Sequence, residues 1–158
     1  TLSESIYGRF KIKIENQLLR LPPSKFVLVR LPIVFGNHSP RIQELDNAVI
    51  KNEPIEVFPN TIINVNNDIK LSQQIHYIIN QQLTGVFHLG STDLIHHSDF
   101  IKLMVRKRYQ KRAVYKQVYT TNQMRYLAVL AKENKLPKNL LFSYTEVLDD
   151  LTLIKRDF

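Results

Sequence analysis

Apolar and polar residues follow two different periods near the start of this chain. Apolar side chains recur every fourth position, at Ile6, Phe10, Ile14 and Leu18. This spacing places them on one helix face and predicts a helix over residues 6–21, ended by the two prolines that follow. Residues 26–31 then form a continuous apolar and β-branched run, which predicts a buried strand.

The same two patterns alternate through the rest of the sequence. Polar residues typical of helix starts precede the later helices, at Ser39, Asn67 or Asp68, Ser98, Thr120 or Thr121, and Ser143. The predicted helices cover residues 40–51, 68–80, 98–105, 120–134 and the segment from 143 onward, and the predicted strands cover residues 55–58, 61–65, 86–89 and 113–119. This alternation favours an α/β architecture.

Length and composition bound the class of protein. The 158 residues suit one domain, and the 44% apolar fraction is enough for a packed core. The absence of cysteine excludes disulfides, thiolate nucleophiles and cysteine-held metal clusters. The chain has no apolar run of membrane-spanning length and no signal-peptide pattern, so we expect a cytoplasmic protein. Because it also lacks an initiator Met, we expect processing or truncation.

The charge of the chain suits an anionic partner. The net charge is +8, with a pI near 9.7. Residues 106–112 are densely basic with an interleaved tyrosine, which is compatible with nucleic-acid binding. The interpretation that we favour is a solvated helix end, where cations complement the helix dipole. We therefore expect no nucleic-acid partner.

The five histidines do not form a metal-ligand pattern. No two have His-x-x-x-His spacing, and none stands beside acidic residues in a ligand set. The adjacent His96 and His97 are predicted to lie in a loop before the Ser98 cap. The sequence therefore predicts no metal site.

One pair of residues carries candidate chemistry. Tyr7 and Lys11 are four residues apart on the first predicted helix, which places them on one face. A nearby ammonium favours the phenolate form of a tyrosine, which lets the phenol exchange a proton with a carbonyl or alcohol oxygen. The spacing alone also fits a solvent-exposed pair without chemistry. However, the pair heads a helix that leads directly into a buried strand.

Motifs around this pair resemble those of the extended short-chain dehydrogenase/reductase superfamily, closest to the dTDP-4-dehydrorhamnose reductase-like branch. The matching segments are Tyr7-Gly8-Arg9-Phe10-Lys11 with Glu15, residues 29–36 (VRLPIVFG), residues 65–69 (VNNDI), residues 85–90 (GVFHLG) and residues 136–141 (LPKNLL). The resemblance is strongest over residues 3–36 and 61–105.

The resemblance implies the carboxyl-terminal portion of a Rossmann-like doubly wound parallel sheet, joined to a small α/β substrate-binding lobe. The expected units are residues 1–36 (catalytic helix and strand), 37–66 (a substrate-lobe segment), 67–90 (a helix and strand returning to the sheet) and 91–158 (the carboxyl-terminal substrate lobe). The implied function is NAD(P)-dependent oxidoreduction of a nucleotide-linked sugar, such as 4-keto reduction. A sugar-nucleotide epimerase or dehydratase, or a non-catalytic subunit, is the alternative.

The resemblance also implies roles for individual residues. Tyr7 would be the catalytic acid/base, and Lys11 its partner and a ligand of the cofactor ribose. The residues that would lie near the nicotinamide are Pro32, Ile33 and Val34. Just after the Gly36 turn, the candidate substrate contacts are Asn37, His38 and Arg41.

The sequence departs from that family in its glycines. It contains Gly8, Gly36, Gly85 and Gly90, and no two have the spacing of a dinucleotide-binding turn. We therefore expect a fragment that lacks the cofactor-binding half, so that the choice between NADP and NAD is undecided. Members of the family often pair through helices, which favours a homodimer.

Overall fold

The computed structural model describes residues 5–109, 112–131 and 135–152. In these ranges the α-helices are α1 (Ile6–Leu18), α2 (Pro40–Ile50), α3 (Asp68–Asn80), α4 (His97–Tyr109) and α5 (Tyr144–Thr152). The strands are β1 (Val27–Arg30), β2 (Ile33–Phe35), β3 (Ile55–Val57), β4 (Thr61–Ile63), β5 (Val65–Asn67), β6 (Gly85–His88), β7 (Ile95–His96), β8 (Tyr115–Gln117) and β9 (Arg125–Leu127).

Most strand pairs in this part of the chain are parallel. β1 pairs with β6, β2 with β5, and β3 with β8, all in parallel. β4 lies between β7, which runs antiparallel to it, and β9, which runs parallel. In the β1–β6 pair, Arg30 stands opposite His88, so both side chains leave the carboxyl ends of their strands together. The predicted α/β class with parallel strands is confirmed.

Local sequence signals fix the helix starts. The Ser39 side chain caps α2, and Asn67 rather than Asp68 caps α3 by accepting a hydrogen bond from the backbone N–H three residues later. Ser143 and Glu146 form the predicted capping box of α5, in which each side chain accepts from the other residue's backbone N–H. These predictions are confirmed because capping needs only neighbours in sequence.

Two apolar clusters form the core. The larger one packs α2, α4 and α5 against β2 to β5, and its fully buried members include Phe35, Ile42, Ile63, Phe100 and Met104. The smaller one packs α3 against β6 and consists of Ile78, Phe87, Leu89 and Leu136. Within the described ranges, no helix combines the length and apolar character needed to cross a bilayer.

The first helix is shorter than expected, and its apolar stripe is open. α1 ends at Leu18, and none of its residues is buried by the described part of the chain. Ile6 and Phe10 are largely exposed, at 83% and 60%. The stripe therefore predicted the helix correctly, but no described element covers it.

The helix predicted over residues 120–134 is wrong. Residues 125–127 instead form β9, which pairs with β4 so that Tyr126 stands opposite Ile62. Residues 132–134 lie outside the described ranges. The segment is rich in helix-forming residues, but hydrogen bonds to a distant strand override that preference.

The interpretation of residues 106–112 as a solvated helix end is also wrong in part. Arg108 and Tyr109 are buried, because both bond to Asp46 on α2. Arg108 Nη1 also donates to Asn37 Oδ1, at 3.0 Å. A buried ion pair therefore joins the last turn of α4 to α2, while residues 110 and 111 lie outside the described ranges.

Candidate active site

The start of α1 positions Tyr7 and Lys11. Ser5 fixes this start, since its Oγ accepts a hydrogen bond from the Gly8 backbone N–H at 3.0 Å. Lys11 Nζ lies over the Tyr7 ring, 5.4 Å from the ring centre. Tyr7 is 70% exposed, so its hydroxyl is accessible to a bound molecule. The two side chains can therefore donate a proton and hydrogen bonds to one ligand.

The pair forms one side of an open cleft of about 690 Å³, a size typical of small-molecule sites. α1 also contributes Glu15 to this side. Residues 29–31, at the carboxyl end of β1, and His88, at the end of β6, also line it. Residues 128–130 complete the lining. The cleft therefore lies at the carboxyl ends of parallel strands, where α/β sheets bind their ligands.

A chain of polar contacts joins these elements. The Arg30 guanidinium forms an ion pair with Glu15, and its Nη1 lies 3.0 Å from His88 Nε2. His88 Nδ1 lies 2.8 Å from the Leu130 carbonyl oxygen. A carbonyl oxygen can only accept, so Nδ1 carries the ring proton and Nε2 accepts from Arg30. These contacts fix the positions of α1, the ends of β1 and β6, and Leu130 relative to one another.

The predicted nicotinamide contacts follow Leu31 in the chain but do not line the cleft. Ile33 and Val34 are half-buried in β2, where they pair with Val65 and Asn66 of β5. Pro32 lies in the chain between β1 and β2, and Leu31, just before it, is the last residue of this segment that lines the cleft. None of the three is among the residues that line the cleft, and their cofactor role stays a prediction.

The predicted substrate contacts do not line this cleft. The side-chain oxygen of Asn37 is engaged by Arg108, and Asn37 is buried. His38 is exposed. Arg41 lies over the Phe35 ring, 5.9 Å from its centre, and borders a different cavity. The structure does not bring these three residues together with Tyr7, and their substrate role stays a prediction.

Sequence reasoning gave no site role to Arg30, His88 or residues 128–130. A usable signal existed for the first two, since each ends a predicted strand and parallel strands present their carboxyl ends at one edge. Nothing in the local sequence indicates that residues 128–130 approach Tyr7.

The fold can be compared with known proteins. No family model and no curated protein matches the sequence. Among solved structures, dTDP-4-dehydrorhamnose reductase from Bacillus anthracis, in complex with NADP, superposes with a TM-score of 0.77 at 20% identity, covering 95% of this chain and 56% of that one. The orthologous reductase from Clostridium acetobutylicum gives 0.74 at 16% identity, covering 96% and 56%.

A UDP-N-acetylglucosamine 4-epimerase from Methanobrevibacter ruminantium, in complex with UDP-N-acetylmuramic acid, gives 0.70 at 14% identity, covering 96% of this chain and 52% of that one. The chain has the Rossmann-like fold of these short-chain dehydrogenase/reductase enzymes. The resemblance drawn from the motifs is thus confirmed at the level of fold. The chain spans little more than half the length of these neighbours.

The described residues of this Rossmann-like fold suit one end of a nicotinamide dinucleotide. Lys11 can donate to ribose hydroxyls, and the apolar Val29 and Leu31 beside it suit a planar ring. The pyrophosphate end needs glycines that let the backbone approach it, and the four glycines do not supply that turn. The fit is therefore to the nicotinamide–ribose end alone.

A second cavity of about 330 Å³ lies between α2, β3 and α4. His97 borders it as the first residue of α4, which corrects the expectation that it lies in a loop; the preceding His96 belongs to β7. His97 Nδ1 accepts a hydrogen bond from the Phe58 backbone N–H, at 3.3 Å. Burial, and secondarily the charge of Arg41, lower the pKa of His97 from 6.5 to about 4.

This lowered pKa predicts that acid destabilises the folded chain. Between about pH 6.5 and about pH 4 the unfolded chain binds a proton at His97 that the folded chain does not. Stability is therefore full above this window and decreases as the pH falls through it, by about 1–2 kcal/mol. Urea midpoints at several pH values in this window measure the effect. His97→Gln should flatten the profile, and an equally steep profile in that variant would assign it to other groups.

Proposed function

We propose that this chain belongs to an NADP- or NAD-dependent oxidoreductase that acts on a nucleotide-linked sugar, by reduction of a 4-keto group. The observation that carries the proposal is the Tyr7–Lys11 pair, which lies in a cleft at the carboxyl ends of β1 and β6 in a Rossmann-like fold. The fold neighbours include a reductase with bound NADP, which supports the cofactor class.

The proposed chemistry divides between Tyr7 and Lys11. Tyr7 donates its phenolic proton to the keto oxygen of the sugar, so that the carbonyl becomes an alcohol. Lys11 stabilises the phenolate that remains and donates hydrogen bonds to the cofactor ribose. A nicotinamide dinucleotide, when bound, supplies the hydride. Solvent then returns a proton to Tyr7, which is open to water.

We propose that polypeptide outside these 158 residues supplies the glycine-rich half. Among the described strands, β1 is hydrogen-bonded on one edge only, to β6. Val27 on β1 and Leu31 just after it are exposed, as is the apolar stripe of α1. An open strand edge beside uncovered apolar side chains is typical of a sheet that continues. The uncovered part of the fold neighbours is long enough for that continuation.

The substrate lobe in this proposal comprises residues 37–66 and 91–158, while residues 1–36 and 67–90 belong to the sheet. A nucleotide sugar would lie between the sheet and the substrate lobe. Its negatively charged diphosphate suits a chain with a net charge of +8. An epimerase or dehydratase remains the second candidate, because an epimerase has the same fold over this region. A non-catalytic subunit and a homodimer are the further outcomes to be tested.

We expect the full-length protein to bind NADPH or NADH saturably, with a dissociation constant in the micromolar range. Lys11→Ala should weaken binding roughly 10- to 100-fold, because it removes charge-assisted hydrogen bonds to the ribose. Fluorescence titration of the reduced dinucleotide measures both effects.

Lys13→Ala is the matched control, since Lys13 is exposed on the same helix and does not line the cleft. Equal weakening by both substitutions would indicate a general charge effect and contradict the assigned role of Lys11. A folded full-length protein that binds neither dinucleotide would be a non-catalytic subunit.

A further inference from the structure

The cleft that contains Tyr7 and Lys11 is also lined by a short segment that we name the strap, residues Ala128–Leu130. The strap follows β9 and has no regular secondary structure. Ala128 and Val129 are half-buried, and Leu130 is 44% exposed. These three apolar residues line the same cleft as the phenol of Tyr7, the ammonium of Lys11 and the carboxylate of Glu15.

A buried amide holds the middle of the strap. Asn64, between β4 and β5, is fully buried. Its Oδ1 accepts from the Val129 backbone N–H at 2.9 Å, and its Nδ2 donates to the Val129 carbonyl oxygen at 3.0 Å. The same Nδ2 donates to the Ser91 carbonyl oxygen at 3.1 Å. The Asn64 side chain thus hydrogen-bonds to both the N–H and the C=O of Val129, as a neighbouring β-strand would.

Gly90 makes room for this amide. A Cβ at position 90 would lie 2.5 Å from Asn64 Nδ2 and 2.8 Å from Pro32 Cγ. Real Cβ atoms do not come that close, so any larger residue would push the Asn64 side chain from its place. Asn64 therefore occupies a position that the backbone leaves open for it.

His88 holds the end of the strap. Its Nδ1–H donates to the Leu130 carbonyl oxygen at 2.8 Å, while Arg30 and Glu15 fix the other side of the ring through Nε2. The strap is thus attached at Val129 to the loop between β4 and β5, and at Leu130 to the end of β6. These two attachments set its distance from Tyr7.

We propose that the strap determines which substrates enter the Tyr7–Lys11 cleft, and that Asn64 and His88 are the positioning residues that fix its width. The inference rests on the proposed function and adds to it the selection of the substrate. A cleft lined by both hydrogen-bonding groups and apolar residues suits a ring that presents both hydroxyl and C–H groups, which describes a pyranose. The strap contacts the C–H groups, and α1 contacts the oxygens.

The first test measures the strap without substrate. In the full-length protein, the Val129 amide hydrogen should exchange slowly, because Asn64 accepts it. Asn64→Asp keeps the side-chain shape but places a carboxylate oxygen against the carbonyl oxygens of Ser91 and Val129. Because these oxygens repel one another, we expect the Val129 amide hydrogen to exchange at least tenfold faster than in wild type. Asn47→Asp, the same change at an exposed position of α2, should leave this rate unchanged. Unchanged exchange in Asn64→Asp would overturn the proposal.

His88→Leu is the second variant, because it frees Leu130 without placing a charge in the core. It should also speed exchange in the strap, and circular dichroism verifies that either variant is folded. If Asn64→Asp does not fold, His88→Leu decides the question alone, and unchanged exchange in it would overturn the proposal.

The second test measures selection. In Asn64→Asp we expect KM for the nucleotide sugar to rise about tenfold or more while kcat and dinucleotide affinity change little, because Asn64 holds the strap and does not line the cleft. In His88→Leu, which also frees Arg30 beside α1, KM should rise as well. A looser strap with an unchanged KM would overturn the selective role. An inactive wild-type protein with a normally protected Val129 amide would instead contradict the proposed function.

Discussion

Replacing Tyr7 by phenylalanine is expected to lower kcat of the full-length protein about 10²- to 10⁴-fold, the range for loss of a general acid. The substitution removes one hydroxyl and leaves the ring that Lys11 contacts. Folding should be unaffected, because Tyr7 is 70% exposed and α1 buries none of its residues in the described structure. Steady-state kinetics with a nucleotide-linked keto sugar and reduced dinucleotide measure the loss.

Tyr119→Phe is the matched control for this prediction. Tyr119 is also exposed, at 59%, and its hydroxyl donates to Gln117, away from the cleft. Its removal should leave kcat within about twofold of wild type, since a surface substitution of this kind has little energetic effect. If Tyr7→Phe and Tyr119→Phe gave the same turnover as wild type, another group would have to supply the proton.

The largest stability effect is expected at the buried ion pair of Asp46 and Arg108. The two side chains are 7% and 2% exposed. Asp46→Asn removes the charge that compensates the Arg108 guanidinium, and we expect a loss of about 3–5 kcal/mol in the free energy of unfolding. Tyr109, whose hydroxyl donates to Asp46, should lose order as well. Urea unfolding of wild type and variant measures the difference.

The exposed pair of Glu56 and Lys116 provides the comparison. These side chains are 53% and 63% exposed, with a 2.9 Å contact between them. Glu56→Gln should cost only about 0–1 kcal/mol, because water already screens the pair. Similar losses in Asp46→Asn and Glu56→Gln would show that burial does not set the strength of the Asp46–Arg108 contact.

The burial of Asp46 with Arg108 also explains why the sequence wrongly predicted a solvated end for α4. A run of seven mostly basic residues fits a solvated helix end as long as its surroundings are unknown. The structure turns Arg108 inward because α2 brings a carboxylate to it from 62 positions earlier in the chain. Arg108 also donates to Asn37, whose substrate role stays a prediction. One buried network that connects distant segments therefore holds Arg108 away from solvent.

Strand β9 is a second element that the sequence wrongly predicted, as a helix. Its residues have ordinary helix preferences, and they are extended because they form strand hydrogen bonds with β4. The extended path then leads residues 128–130 past Asn64 and His88 to the cleft. Because helix propensity amounts to a few tenths of a kcal/mol per residue, a row of strand hydrogen bonds overrides it.

The sequence by itself determined the features that depend on neighbours a few positions apart. These are the caps at Ser39 and Ser143, the apolar strand after α1, and the spacing that puts Tyr7 and Lys11 on one face. Each follows from the geometry of a single helix turn or strand.

Only the tertiary structure decided which distant segments meet at that face. It set Arg30 beside His88, brought the strap into the cleft that contains Tyr7, and left β1 with an open edge among the described strands. These arrangements depend on hydrogen bonds and burial between residues tens of positions apart. Such contacts leave no periodic trace in the sequence, because each is satisfied by a partner that the chain brings near only when it folds.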